Sequence, residues 1–386
     1  MSRNLLLVAL SMFMWGIGES IFLYFQPIYL EEMGATPLQI GAILSILGIL
    51  LALAHIPAGY LSDRVGSRPL LWLSWTVGML ATWIMALART LPLFVGGYLL
   101  YNLTAFVMAP LNSYATAARG RLSVGHAITL ISASYNAGAI LGPLLGGQIG
   151  EGLGLRSIYL VSACLFVLST IVIYLIEAQP LETPCSRQAS LRLTLQRPFI
   201  LFLGVVFIAN LAMYLPQPLS QNFLQNERLL NLKQIGELGS MASLGIVALN
   251  LLLGQLETRP GFILGQAATV VFALALWQGR GLGWYRLGYF FLGGYRAARS
   301  LAAAHTRTLV PPAAMGLAYG VNETVGAGAI ILAPLLAGWV YQRNPEEVYP
   351  LSLGLMLVSI IISIIFSPKS HSHDKLSANP THSEVE

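Results

Sequence analysis

Charge is what this sequence has least of. Of its 386 residues only 10% are Asp, Glu, Lys or Arg, against roughly a quarter in a soluble domain. With 21 basic and 16 acidic side chains the chain cannot clothe a water-facing surface of this size. Cysteine is nearly absent too. Cys164 lies in an apolar run and Cys185 in a polar stretch, a pair with neither metal spacing nor the look of a disulfide framework. The six histidines are scattered, and His371 and His373 in the tail make no expected metal site. There is no HExxH, no nucleotide-binding loop and no plausible Ser/His/Asp set, so neither an enzyme nor a nucleotide-driven pump is expected, and no cofactor or metal. No basic stripe interleaves with aromatics, which excludes nucleic acid as a partner. The apolar run after Arg3 continues past Tyr29 without a small-residue cleavage site, so it is expected to stay as a first membrane span rather than be removed as a leader.

Apolar length is what the sequence has in abundance. The chain is 56% hydrophobic, with a mean hydropathy of +0.70. About 20 apolar residues cross a bilayer core, and segments of that length lie near 4–29, 37–59, 69–88, 92–117, 127–150, 156–176, 198–222, 234–256, 261–278, 283–304, 312–341 and 348–367. The expected fold is therefore all-α and integral to a membrane, with about 12 transmembrane helices. Polar residues 178–197 split the spans evenly. They are expected to link an N-terminal six-helix bundle (1–177) to a C-terminal one (198–367), ahead of a disordered tail (368–386). With the N-terminus inside, basic residues favour the inner segments twelve to six, which places both termini in the cytoplasm and the protein in the plasma or inner membrane, surrounded by lipid. A monomer is expected.

The two halves resemble one another. Ile140-Leu-Gly-Pro-Leu-Leu-Gly-Gly147 recurs as Ile331-Leu-Ala-Pro-Leu-Leu-Ala-Gly338, offset by 191. Phe94-Val-Gly-Gly-Tyr98 recurs as Phe291-Leu-Gly-Gly-Tyr295, and the Gly59/Leu61/Arg64/Gly66 pattern recurs at Gly254/Leu256/Arg259/Gly261. Internal symmetry of this kind marks transporters built from repeated bundles around a midplane site. The stretch after the second span, Gly59-Tyr-Leu-Ser-Asp-Arg-Val-Gly-Ser-Arg68, resembles the major facilitator signature G-x-L-x-D-R-x-G-R-K, with Ser67 in place of a basic residue. Gly138, Gly142, Pro143, Gly146 and Gly147 resemble the fifth-span motif of that family's drug–proton antiporters. The resemblance covers about 365 residues in layout. It implies two pseudo-symmetric six-helix bundles and a cavity lined by the first, fourth, seventh and tenth spans. It also implies a conformational latch at Gly59, Asp63, Arg64, Gly66 and Arg68, and alternating access. One departure stands out: the fourth span, 92–117, lacks the arginine that such antiporters carry.

Charge at membrane depth costs on the order of 3 kcal/mol or more, so it marks function. Only Glu19 and Glu323 are acids in mid-span, with Arg296 as the matching base and Arg299 one turn nearer the cytoplasmic interface. Asn102, Tyr135, Asn136, Asn210 and Asn322 are polar residues at similar depth. Glu19 is the candidate for coupling or cation recognition, since a carboxyl inside a bundle can trade a proton as its surroundings change. Two readings stand for Glu323 and Arg296: a buried structural pair, or a gating or substrate role in which a free Arg296 meets a carboxylate or phosphate. His55 reads as packing. The expected function is export of a small organic solute coupled to protons. Uptake or uniport of sugars or organic anions is the alternative, and a non-transporting receptor on the same fold is the alternative of another class.

Overall fold

A computed structural model describes residues 2–50, 66–179, 197–306, 309–310 and 315–366. Among the described residues there is no strand. The first half comprises α1 (Arg3–Leu23), α2 (Gln26–Glu32), α3 (Pro37–Leu50), α4 (Ser67–Leu87), α5 (Leu91–Leu103), α6 (Met108–Ala117), α7 (Val124–Leu153) and α8 (Leu155–Tyr174). The second comprises α9 (Arg197–Tyr214), α10 (Ser220–Asn226), α11 (Leu232–Leu253), α12 (Thr258–Trp277), α13 (Leu282–Phe291), α14 (Gly293–Thr306), α15 (Met315–Tyr341) and α16 (Val348–Phe366). Ten helical stretches among the described residues are long and apolar enough to cross a membrane. The other two expected passes are α3, which runs up to the edge of the described residues, and α13 with α14, which divide one pass between them. Most of the expected linker and all of the expected tail lie outside the described residues.

The breaks within passes have local causes. Pro27 opens α2 just after α1 ends. Pro216 and Pro218 stand in the gap between α9 and α10. A 3-10 turn, Thr104–Val107, joins α5 to α6 directly before Pro110, whose ring nitrogen cannot donate to the preceding turn. Gly154, at φ +82°, supplies the single-residue link from α7 to α8, a conformation that glycine adopts without strain.

Leucine and isoleucine on the outer helices face away from the protein. Leu73 and Leu80 of α4, Leu168 and Ile171 of α8, and Leu357, Ile361 and Ile364 of α16 are all exposed, at the three-, four- or seven-residue spacing of one helix face. Such faces suit acyl chains, not water. Some of the polar groups turned inward bond between helices. The Trp75 indole donates to Ser11 and Ser169 at 2.8 and 2.9 Å, which ties α4 to α1 and α8. Gln266 bonds Ser359 and Ser363 between α12 and α16.

The two halves meet along two seams that are the same contact made twice. On α7, Pro143 and Gly147 face Leu232 and Gly236 of α11. On α15, Pro334 and Gly338 face Pro37 and Gly41 of α3. The α7 and α15 positions differ by 191 and the α3 and α11 positions by 195, so the sequence repeat is a structural repeat. A side chain at Gly147 would stand 2.7 Å from the Leu232 carbonyl oxygen, and one at Gly338 2.5 Å from that of Pro37. Backbone thus touches backbone, the close approach small residues permit between membrane helices. Hydrogen bonds reinforce the seal. Asn226 donates to Glu31 Oε1 at 2.9 Å, and Asn222 bonds Glu31 and the Pro27 carbonyl. The Leu232 amide at the start of α11 donates to Glu151 at 2.9 Å.

All of these contacts lie at the end opposite Ser2 and Phe366. Along α7 and α11 the last hydrogen bond between halves runs from Ser243 to the Ala139 carbonyl, at 3.3 Å. Beyond it Ser132, Ala133 and Ala137 of α7, and Leu244, Val247 and Leu251 of α11, are exposed. An apolar groove lined by Leu6, Leu10, Phe13, Leu130 and Ala133 opens there. The halves are closed at one end and parted at the other.

Candidate functional site

Two glycines set the geometry around Glu19. A Cβ on Gly16 of α1 would strike the Tyr135 carbonyl of α7, and one on Gly138 would strike the Phe13 carbonyl of α1. With no side chain at either position the backbones touch, and that contact delivers Tyr135 to Glu19. The Tyr135 hydroxyl donates to Glu19 Oε2 at 2.8 Å. The Tyr101 hydroxyl and the Trp15 indole approach the same carboxylate, although the Tyr101 hydroxyl makes no hydrogen bond of normal geometry. Behind them the rings interlock: Trp15 lies 4.9 Å from Trp75 and edge-on to Phe166 at 4.2 Å. Glu19 is half-buried and has no cation within ion-pair distance among the described residues.

The opposite wall is basic. Arg299 of α14 donates to Glu323 of α15 at 2.7 Å. It reaches across Gly326, where a Cβ would stand 3.7 Å from the guanidinium and 3.8 Å from Asn210 Nδ2. Arg296, one turn earlier on α14, is exposed and makes no ion pair among the described residues. It lies within electrostatic reach of Tyr214, Tyr295 and, from the other half, Tyr135. Tyr98 of α5 similarly couples to both Glu19 and Tyr214. Tyr214 and Tyr295 pack at 5.6 Å.

Of the residues singled out in the sequence, Glu19, Tyr135 and Arg296 are therefore brought to one gap. Glu323 pairs with Arg299 rather than with Arg296, one helical turn away from the expected partner. That pair is not buried, since the Glu323 side chain is 58% exposed. Asn102 and Asn136 turn back to their own helices, donating to the Tyr98 and Ser132 carbonyls. Asn210 does the same to Val206 and, like Asn322, is buried with its side-chain oxygen unpartnered. Gly138, Gly142 and Gly146 face α1, while Pro143 and Gly147 face α11. Of the expected latch, Gly59, Asp63 and Arg64 lie outside the described residues, as does His55. Gly66 begins α4, and Arg68 stacks its guanidinium 4.1 Å over the Trp72 ring.

Aromatic residues that the sequence reading passed over complete the walls: Trp15, Tyr98, Tyr101, Tyr214 and Tyr295. A signal exists for four of them. Trp15, Tyr98, Tyr214 and Tyr295 each stand four residues from Glu19, Asn102, Asn210 or Arg299, and so share a helix face with it.

Residues 8–293 match the family model described as the Major Facilitator Superfamily. The chain belongs to that superfamily. Among curated relatives it is similar to the multidrug resistance protein MdtG of Escherichia fergusonii, 30% identical over 176 residues, which is 44% of this chain and 43% of the relative. MdtG of Escherichia coli K12 is 30% identical over 172 residues, 43% of this chain and 42% of the relative. The chain thus matches less than half the length of these relatives. Among solved structures, the nucleoside transporter NupG superposes with a TM-score of 0.79 at 13% identity, covering 95% of this chain and all (100%) of that one. A bacterial homologue of the human lysosomal transporter Spinster, in an inward-facing and occupied conformation, superposes with a TM-score of 0.70 at 14% identity, covering 94% of each chain. At such identities the likeness shows the fold alone.

Proposed function

We propose that this membrane transporter is a proton-coupled exporter of a small organic solute, working by alternating access, with Glu19 as the carboxyl that binds and releases the proton. One observation carries the reading. Glu19 sits in a span, facing the gap, held by a neutral tyrosine donor and by no cation among the described residues, so its proton is free to respond to the aqueous side it meets. Export is supported by the printed description of the partly matching relatives as multidrug resistance proteins and by the fifth-span motif. In this reading the end carrying both termini is cytoplasmic, and the described state is open to the cytoplasm. Asp63 and Arg64 latch the bundles when the other state forms.

The test is flux in proteoliposomes. An imposed proton gradient should accelerate movement of a transported solute, and Glu19→Gln should abolish that acceleration while insertion and folding are kept. A variant that still responds to the gradient as the parent does removes Glu19 from coupling. A chain with no flux for any solute would leave the receptor reading. Arg296 favours a second reading, uptake or uniport of organic anions, because it places at the same gap a cation with no ion-pair partner among the described residues.

A further inference from the structure

Arg296 of α14 carries a guanidinium that pairs with no carboxylate among the described residues. Lone guanidinium groups at membrane depth are costly and are kept where a partner or a solute compensates them. Among the described residues the gap holds four charges. Arg299 and Glu323 satisfy each other at 2.7 Å. Glu19 is half-enclosed and bonded by Tyr135. Arg296 alone is exposed with no ion-pair partner, and the phenols of Tyr135, Tyr214 and Tyr295 lie within its electrostatic reach. A phenol hydroxyl can donate to an anion beside the guanidinium, and its ring can cover the apolar body of a ligand.

We propose that the gap binds an aromatic organic anion, its carboxylate held by Arg296 and its ring laid against the half-buried Tyr135 of α7 and Tyr214 of α9. The planar guanidinium fork matches a carboxylate in two parallel hydrogen bonds, which a lysine cannot reproduce. A cation is the weaker fit, because the carboxylate that would attract it is already bonded and walled by Trp15, Tyr101 and Tyr135, whereas the guanidinium is open. This names the solute class for the gap described above and so rests on the transporter reading, but it is tested by equilibrium binding rather than by flux.

The probes are 1-naphthoate, its neutral methyl ester and the tetraphenylphosphonium cation, titrated against the full-length purified protein while intrinsic tryptophan fluorescence and thermal unfolding are followed. Naphthoate should bind saturably, and the ester at least tenfold more weakly. Arg296→Gln should weaken naphthoate about tenfold or more, while Arg296→Lys, which keeps the charge, falls between. A folded Arg296→Gln protein that binds naphthoate as tightly as the parent overturns the proposal, and so does tighter binding of tetraphenylphosphonium than of naphthoate. If Arg296→Gln fails to fold, the ester comparison and Arg296→Lys decide it: equal affinity of ester and acid overturns it. Naphthoate binding without proton-driven flux would sink the coupling role of Glu19 and leave this assignment standing.

Discussion

At the scale of single residues, the two hydroxyls that approach Glu19 differ in a way that can be measured. Tyr135 donates at 2.8 Å, whereas the Tyr101 hydroxyl has no partner of normal geometry. Removing a hydrogen bond to a charged group costs about 1.5–3 kcal/mol. Tyr135→Phe should therefore slow proton-driven flux about tenfold or more, while Tyr101→Phe changes it by much less. Equal losses in the two variants would show that ring packing matters and the donor does not. At this scale the sequence was informative about charge and silent about partners. Glu19, Arg296 and Glu323 stand out because lipid penalises idle charge. Nothing in a single sequence fixes which of two arginines three residues apart meets a glutamate on another helix. Glu323 chose Arg299 because the rotation of α14 against α15 places that turn over Gly326, and that rotation is set by packing along the whole helix.

In the proposed cycle the helices divide into those that stay together and those that part. On α7 this division falls within ten residues: Gly138, Gly142 and Gly146 lie on one face against α1, and Pro143 and Gly147 lie on the other against α11. Substitutions on the two faces should fail differently. A Cβ at Gly142 would stand 2.5 Å from Ser20 Cβ and 2.9 Å from the Ile17 carbonyl oxygen, so Gly142→Val overpacks a permanent contact. It should cost about 1–3 kcal/mol, read as a lowered unfolding temperature in detergent. Gly147→Val loads a contact between halves. The unfolding temperature of that variant should change less, while the distance between spin labels near Leu153 of α7 and Leu232 of α11 should increase. The element count was legible because twenty-residue apolar runs leave little freedom. The division of the tenth pass at Leu292 and the 3-10 turn before Pro110 were not, since both are local accommodations within an unbroken apolar pattern.

For the molecule as a whole, the sealed end is held by few polar groups. Glu31 of α2 accepts from Asn222 and Asn226 of α10, and Glu151 of α7 accepts from the Leu232 amide. Opening this end must break the set together. Replacing Asn222 and Asn226 with Ala should shift the population toward opening at this end, seen as longer distances between labels at Gly34 and Leu229. An unchanged distribution would mean that the glycine seams alone hold the end shut. The duplication visible in the sequence proved informative at this scale. Positions 191 and 195 apart make equivalent seams, so the alignment of Ile140–Gly147 with Ile331–Gly338 located the interface as well as the repeat.

Tyr135 and Gly147 are carried by one helix, twelve residues apart, or about 18 Å along its axis. Because α7 is braced against α1 between those two points, a compound wedged at the far seam would be felt beside Glu19 without entering the central gap. An inhibitor of that kind would lower the maximal rate and leave apparent affinity for the solute untouched. It would also escape resistance changes confined to the wall where the solute rests.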